Sequence, residues 1–427
     1  MLRGDGHVWL MPALALTTLT TACDTGEVRL LAPETSSDEP ATRLQVTLDT
    51  PFVSLATSLG WSQGIPGATV RFHRTEEPYD NGYWVSVTTD ESGGAGMPNL
   101  LTGLYDVEVV RQLTPEERAA VGNQTYVVAG GRVAWLPADE FPLTAQPNRR
   151  GTLVFSEVAI TGPPPWETGG GNYDDAKYLE IYNNSTQTIF LDGMLLGIGY
   201  DYSRDSSFRP CGVSETVLND PGGIWTNQIL RFPGNGAQFP VEPGGLNVVA
   251  KSAVDHRPAH ATLQDLSGAD FEWGGERTAD NPDVPNLADV GPTPVWLNKP
   301  IGEDPIFLAR PVDLNGLPTW VQPYDGYRYV RIPSAAVLDA VAPLYDFTRA
   351  SFEPTQRCLH VLNAAFERLP GPALWEGETG ALYSLQRRVL ADSPTGTPLL
   401  QDTNTSMADF VRAMVTPGTI MQVPPGG

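Results

Sequence analysis

From Arg43 onward the chain alternates apolar and polar positions in short runs. "RLQVTL", "ATVRFHR", "YWVSVTTD" and "YDVEVV" each put every second side chain on one face, with Gly, Pro and Asp breaking the chain between them. That is the period-two signature of half-buried strands, and it predicts a small antiparallel β-sandwich over residues 42–148. Within it, "TPEERAAVG" changes the pattern. Thr114 stands as cap, Pro115 at the first helical position and Glu117 three residues after the cap, which predicts one short helix closed by a capping box. Two further strands are expected near 124–128 and 131–136, and "QPNRRG" at 146–151 marks a domain boundary.

Residues 149–427 show no internal repeat and read as one β-rich unit with large loops. The Pro/Gly-rich "TGPPPWETGGGNYDD" at 161–175 is too long for a hairpin turn, and loops of that length carry function or move. In the following "KYLEIYNNSTQTIFLDG", strand alternation sets Leu179 and Ile181 on one face and Tyr178, Glu180 and Tyr182 on the other. Asn183, Asn184 and Ser185 suit a turn before the next strand, because Asn tolerates left-handed backbone and caps free amides.

Composition agrees with a mainly β protein. In 427 residues, 43 Gly and 39 Pro leave little room for long helices, and 41% hydrophobic content suffices for two buried cores. The 50 Asp and Glu against 27 Lys and Arg give a formal charge of −23. Such a surface repels phosphate backbones, which argues against nucleic acid as a partner. Polar, acidic, Pro- and Ser-rich residues 23–41 predict a flexible tether.

The N-terminus reads as an export signal. Arg3 precedes the apolar "VWLMPALALTTLTTA", and small residues lead into Cys23. Residues 1–22 therefore resemble a bacterial lipoprotein signal peptide with "LTTAC" as its lipobox, although Thr20 stands where Leu is usual; a plain secretory signal is the other reading. The resemblance implies cleavage before Cys23, an acylated N-terminal cysteine and attachment to a cell-envelope membrane. The outer membrane is the expected location, although Asp24 leaves the choice of membrane open. Cys211 and Cys358 are then the remaining thiols, a candidate disulfide in an oxidising compartment or two buried free thiols.

Further resemblances follow from ordered motifs. The run "GATVRF…VTTDESGGAGMPNLLTGLYDVEVV", with its Thr-Asp-x-x-Gly turn and the Gly103-x-Tyr105 strand start, resembles a carboxypeptidase regulatory-like (transthyretin-like) β-sandwich. Downstream, "SEVAI", "YLEIYNNS", "VEPGGLNVVAKSAVDH", "LQDLSGADFEW…DNPDVPNL" and "LYSLQRRVL…LQDTNTSMADF" are similar to lamin-tail domains of bacterial envelope lipoproteins. The resemblance implies two β-sandwich domains in series, the second an elaborated immunoglobulin-like sandwich with long loops. It implies no reaction.

The five His lie outside any nucleophile-elbow or HExxH context. His256 and His260 are four apart, but Pro258 between them argues against a shared helix face, and His256 reads as a loop residue bonded to local backbone. Asp174, Asp175 and Glu180 form a candidate calcium set beside the Gly-rich loop, against the plainer reading of a solvated acidic loop with Glu180 serving the fold. In "QDTNTSMADF", Ser406 and Asp409 suggest a capping-box-like helix start. Trp166, Trp225, Trp273 and Tyr324 sit in polar or Gly-rich settings where aromatic rings stack on sugars or anchor proteins. Trp166, with Tyr178, Glu180 and Tyr182, is the candidate ligand-binding set.

The expected function is binding by a lipid-anchored envelope protein, to an envelope protein such as an outer-membrane receptor or to a glycan, without a cofactor. A carboxylate-dependent hydrolase of the nuclease or glycosidase class is the alternative. Labelled palmitate is expected to enter the wild-type protein and not Cys23→Ser; equal labelling of both would refute the lipobox reading.

Overall fold

The computed structural model describes residues 42–61, 64–74, 84–97, 100–121, 125–136, 140–149, 151–159, 173, 175–199, 220–274, 278–292, 305–321, 326–346, 362–363, 365–367, 373–375, 383–390 and 397–420. The predicted alternation becomes a seven-stranded sheet of β1 (Thr42–Leu48), β2 (Thr69–Arg74), β3 (Trp84–Thr88), β4 (Gly94–Met97), β5 (Gly103–Gln112), β6 (Thr125–Leu136) and β7 (Glu140–Arg149), ordered β3-β2-β5-β6-β7-β1-β4. Neighbours run antiparallel except β1 and β7. One face gathers Leu44, Val46, Val70, Phe72, Val107, Val109 and Leu143 into a buried cluster. The helix Pro115–Ala120 has both halves of the capping box, with Glu117 N donating to Thr114 Oγ1 at 3.2 Å and Thr114 N to Glu117 Oε2 at 2.8 Å.

One expectation fails in this sheet. Where two strands are predicted around 124–136, β6 is a single strand of 12 residues. The Gly130-Gly131 pair that falls between the two expected strands admits close neighbours. A Cβ on Gly130 would lie 2.1 Å from the Thr144 carbonyl oxygen of β7, and one on Gly131 would lie 2.8 Å from that of Val107 in β5.

Beyond β7, which ends at Arg149, the chain changes sheet at β8 (Leu153–Ala159). A six-stranded sheet follows the order Phe271–Glu272, Leu246–Ala250, β9 (Tyr178–Asn183), β8, Tyr383–Arg387, Phe410–Met414. Its companion sheet orders Thr319–Val321, Arg328–Pro333, Gly223–Arg231, Leu195–Gly199, Ile306–Ala309 and Val337–Val341, with Ala288–Asp289 beside Gly223–Arg231. Phe155, Leu179, Ile181, Val249 and Leu385 from one sheet and Leu196, Ile198, Leu230, Ile306, Leu308 and Val341 from the other form one buried cluster. The two sheets thus close over a common core, and the protein is mostly β as expected. Among the described residues, no helix is long and apolar enough to cross a membrane.

Residues 41–427 form one compact unit. Arg387 and Arg388, at the end of strand Tyr383–Arg387, make the internal joints. Arg387 is buried, its Nη2 2.6 Å from Asp339 Oδ2, with Nε donating to Phe155 O and Nη1 to Gln401 O. Its guanidinium carbon lies 4.5 Å from the Phe410 ring centroid. Arg388 reaches across to β5, where Nη2 meets both oxygens of Asp106 at 2.6 Å and Nη1 meets Glu108 Oε2 at 2.8 Å. Around this joint Val127 and Ala129 pack with Leu390 and Leu399. Asn148 at the end of β7 accepts from Asp402 N at 2.5 Å.

Removing one partner of a buried ion pair leaves the other charge unsolvated and costs about 3–5 kcal/mol. Arg388→Met is therefore expected to lower stability by about that much in urea unfolding, and adding Asp106→Leu is expected to recover part of the loss. An unchanged urea midpoint for Arg388→Met would refute the joint's role.

Candidate functional site

Glu180 lies on β9 directly opposite Glu157 of β8. A register shift between Phe155 and Glu157 keeps Phe155 and Val158 in the sandwich core while Glu157 faces the other way. The two carboxylates therefore meet on the outer face of the six-stranded sheet, beneath residues 415–420. Glu157 Oε1 accepts from Tyr178 OH at 2.6 Å, Ser384 Oγ at 2.6 Å and Thr416 N at 3.0 Å. Glu180 accepts from Gly418 N at 2.6 Å and from Ser156 Oγ at 3.2 Å. Glu180 is 0% exposed and Glu157 1%.

Electrostatics follows from that burial. Loss of water, then the neighbouring Glu157 charge, pushes Glu180 up to about 8, against the opposing pull of Gly418 N–H and Ser156. Burial likewise raises Glu157, despite hydrogen bonds from Ser384, Tyr178 and Thr416 that favour its charge. Tyr178 is raised by burial and by Glu157. Burial thus disfavours the charged form of both carboxyls, and most clearly that of Glu180, in a pair closed off from solvent.

The structure corrects the ligand-binding reading of this strand. Tyr178, Glu180 and Tyr182 do not form an open platform: all three are buried, and Tyr182 OH donates to Pro398 O at 2.6 Å. The physical reason is that residues 397–400 and 415–420 cover the face left polar by strand alternation. Glu180 ties the C-terminal segment down, as its service to the fold requires. Asp175 pairs with Lys251 Nζ at 2.9 Å, so it and Glu180 are held by different partners. Among the described residues, no group of three His, Cys, Asp or Glu is placed to hold a metal ion. Cys23, Trp166, Asp174, Cys211, Tyr324 and Cys358 lie outside the described residues.

His256 is buried, its Nε2 2.9 Å from Ser252 O and its Nδ1 2.8 Å from Tyr173 OH. The carbonyl can only accept, so Nε2 carries the hydrogen and Nδ1 accepts from Tyr173. His260 turns instead to Thr262 Oγ1 at 2.8 Å. Trp273 belongs to the sandwich core, whereas Trp225 is half-buried and donates its indole N–H to Asp220 Oδ2 at 3.1 Å. At the C-terminal helix, Thr405 occupies the cap position without a side-chain cap bond. Asp409 reaches back to Thr403 N at 2.8 Å and Thr405 N at 3.2 Å, and Ser406 N donates to Glu367 Oε1 at 2.8 Å. The expected Ser406–Asp409 capping box is therefore replaced by longer-range bonds.

Sequence reasoning missed Asp192 as an organising residue. It accepts backbone N–H groups from Asn235, Gly236, Gln238 and Phe239 at 2.8–3.0 Å. Burial opposes its charge, but those donors prevail and hold the carboxyl down at about 2. The "LDG" turn was the visible signal; the loop it would capture, over forty residues on, was not.

A family model described as "Protein of unknown function (DUF4876)" matches residues 242–417. The chain is similar to a crystal structure of a DUF4876 family protein from Bacteroides thetaiotaomicron VPI-5482. The two share 20% identity with a TM-score of 0.50, over 90% of this chain and 98% of that one. That likeness supports the fold. A proposed adhesin from Bacteroides ovatus ATCC 8483 aligns at 10% identity over 70% of this chain and 87% of that one; its TM-score of 0.16 is too low to bear on fold or function. No curated protein matches the chain.

A carboxyl raised from 4.5 to about 8 on folding binds more protons folded than unfolded between those values. Its stabilisation is full below about pH 4.5 and is lost as pH rises through about 8. Glu180→Gln keeps an acceptor for Gly418 N and removes the titration. It is expected to match or exceed wild-type stability at pH 8 and to flatten the urea midpoint between those pH values; an unchanged pH slope would refute the assignment.

Proposed function

We propose that the protein is a lipid-anchored cell-envelope binding protein, acting beside an outer-membrane transporter or on a glycan, rather than a catalyst. The observation that carries this reading is the closure of the Glu157–Glu180 pair. The carboxylates best arranged for acid–base work spend their hydrogen bonds on Tyr178, Ser384, Thr416 and Gly418. A hydrolase of the nuclease or glycosidase class would need such a group within hydrogen-bond reach of substrate. Burial denies Glu180 that reach.

Three further features fit binding. The Cys23 context suits acylation and retention at a membrane. A scaffold braced by buried arginines offers surfaces that keep their shape, which lowers the ordering cost of binding. Half-exposed aromatic side chains on a rigid sheet supply contact area at little conformational cost.

The full-length lipidated protein, used as bait in detergent-solubilised envelope membranes, is expected to recover a membrane partner in near-equal amount or to be retained on an envelope polysaccharide. Recovery of bait alone, with no retention on any polysaccharide, would overturn the reading.

A further inference from the structure

Strands Thr319–Val321, Arg328–Pro333 and Gly223–Arg231 are the outer three of the companion sheet. Trp320 pairs with Tyr329 and Trp225 with Arg331. Tyr329 and Arg331 are two apart on one strand, so all four side chains share a face. The other face carries Ile224, Val330 and Ile332 into a buried cluster. The shared face is therefore a deliberate break in the apolar lining of this sheet, made of rings and polar groups.

Its geometry is a row. The Trp320 and Tyr329 rings stand 5.5 Å apart at 42°, and the Arg331 guanidinium carbon lies 5.9 Å from the Trp225 ring centroid. Two interstrand steps separate the Trp225 strand from the Trp320 strand, roughly 10 Å of sheet. Trp225, Trp320 and Arg331 are half-buried, while Tyr329 lies buried between them as support.

Asp220 fixes the inner end. Its Oδ2 accepts from the Trp225 indole N–H and from Arg331 Nη1, each at 3.1 Å, and its Oδ1 accepts from Gly222 N at 2.8 Å. Burial opposes its charge, but Gly222 N–H, Arg331 and the indole together hold its carboxyl below the usual range. Strand register also places Gln228 on this face: it pairs with Ile198, and a bulge between Gln228 and Thr226 returns it to the side of Trp225. Gln228 is buried, and its Oε1 has no hydrogen-bond partner among the described residues. A buried acceptor left open calls for a donor.

These groups select a ligand class. Aromatic faces take flat apolar surface, and a small number of fixed polar groups beside them set orientation. Asp220 and Arg331 neutralise each other, so the face offers hydrogen bonds without net attraction for a charged ligand. The chain's charge of −23 repels polyanions besides. Sugar rings combine an apolar face with rim hydroxyls that both donate and accept. We propose that Trp225, Tyr329, Arg331 and Trp320, with Asp220 at their end, form a binding face for a neutral glycan. One ring stacks on Trp225 within reach of Asp220 and the remaining N–H groups of Arg331, and a second lies toward Trp320. This rests on the binding reading above and adds the ligand class and its place.

The test is affinity electrophoresis and column retention of the full-length protein on immobilised neutral glucan, mannan, xylan and galactan. The variants are Trp225→Ala, Trp320→Ala and, as a control on the first sheet, Trp135→Ala. Wild type is expected to be retarded by at least one polysaccharide. Each of the first two variants should weaken that retention roughly two- to tenfold, and the control should leave it unchanged. Urea midpoints establish that each variant is folded; should Trp225→Ala fail to fold, Trp320→Ala on the edge strand and Arg331→Gln carry the test. Retention that survives folded Trp225→Ala and Trp320→Ala, or that falls equally in the control, overturns the site while binding stands. A membrane protein recovered by wild type with no polysaccharide retained overturns the glycan and leaves a protein ligand. Neither partner recovered sinks this inference together with the binding reading.

Discussion

Two adjacent arginines govern how this chain holds together. Arg387 turns into the two-sheet core toward Asp339, and Arg388 turns out to Asp106 and Glu108 of the first sheet. Because both are buried, each had to surrender its hydration, and only paired, well-aimed carboxylates make that tolerable. Apolar contact alone would let two sheets slide. The two-oxygen grip of Arg388 on Asp106 instead selects one orientation, and the neighbouring contacts of Leu390 and Leu399 with Val127 and Ala129 add area to a geometry already chosen.

The same economy appears at Glu157 and Glu180. A pair of carboxylates facing each other across adjacent strands looks like acid–base machinery when judged by chemistry alone. Here their oxygens gather donors from three separate parts of the chain, so that the C-terminal segment closes over the sheet. Charge is used to specify contacts, with Asp192 doing the same for the loop at 235–239. In a low-dielectric setting, a satisfied polar network is strong and an incomplete one is costly, which makes such joints selective.

Interior polarity of this kind leaves the surface free to differ. On the outer strands of the companion sheet, Trp225 and Trp320 stand half-open beside a neutralised Asp220–Arg331 pair, in contrast to the sealed Glu157–Glu180 face. The contrast is between carboxylates sealed from water and aromatic rings left partly exposed.

Local chemistry made part of this legible in the sequence. Period-two alternation in "YWVSVTTD" and "YDVEVV" identified β3 and β5, and the Thr114–Glu117 box identified its helix, because those signals act within a strand or a turn. The two strands expected near 124–128 and 131–136 are one, because the glycines between them serve close approach: only the position of Thr144 on the next strand shows this for Gly130. Alternation put Glu180 on the polar side of β9 but could not say what would cover that side. Its partner Gly418 lies 238 positions away, and Asp106 lies 282 from Arg388. Sequence by itself determined the alternating strands such as β3 and β5 and the capped helix at 115–120, since neighbours along the chain fix those torsions. Tertiary structure decided which polar groups are sealed and which face outward, since that depends on distant strands becoming neighbours and excluding water.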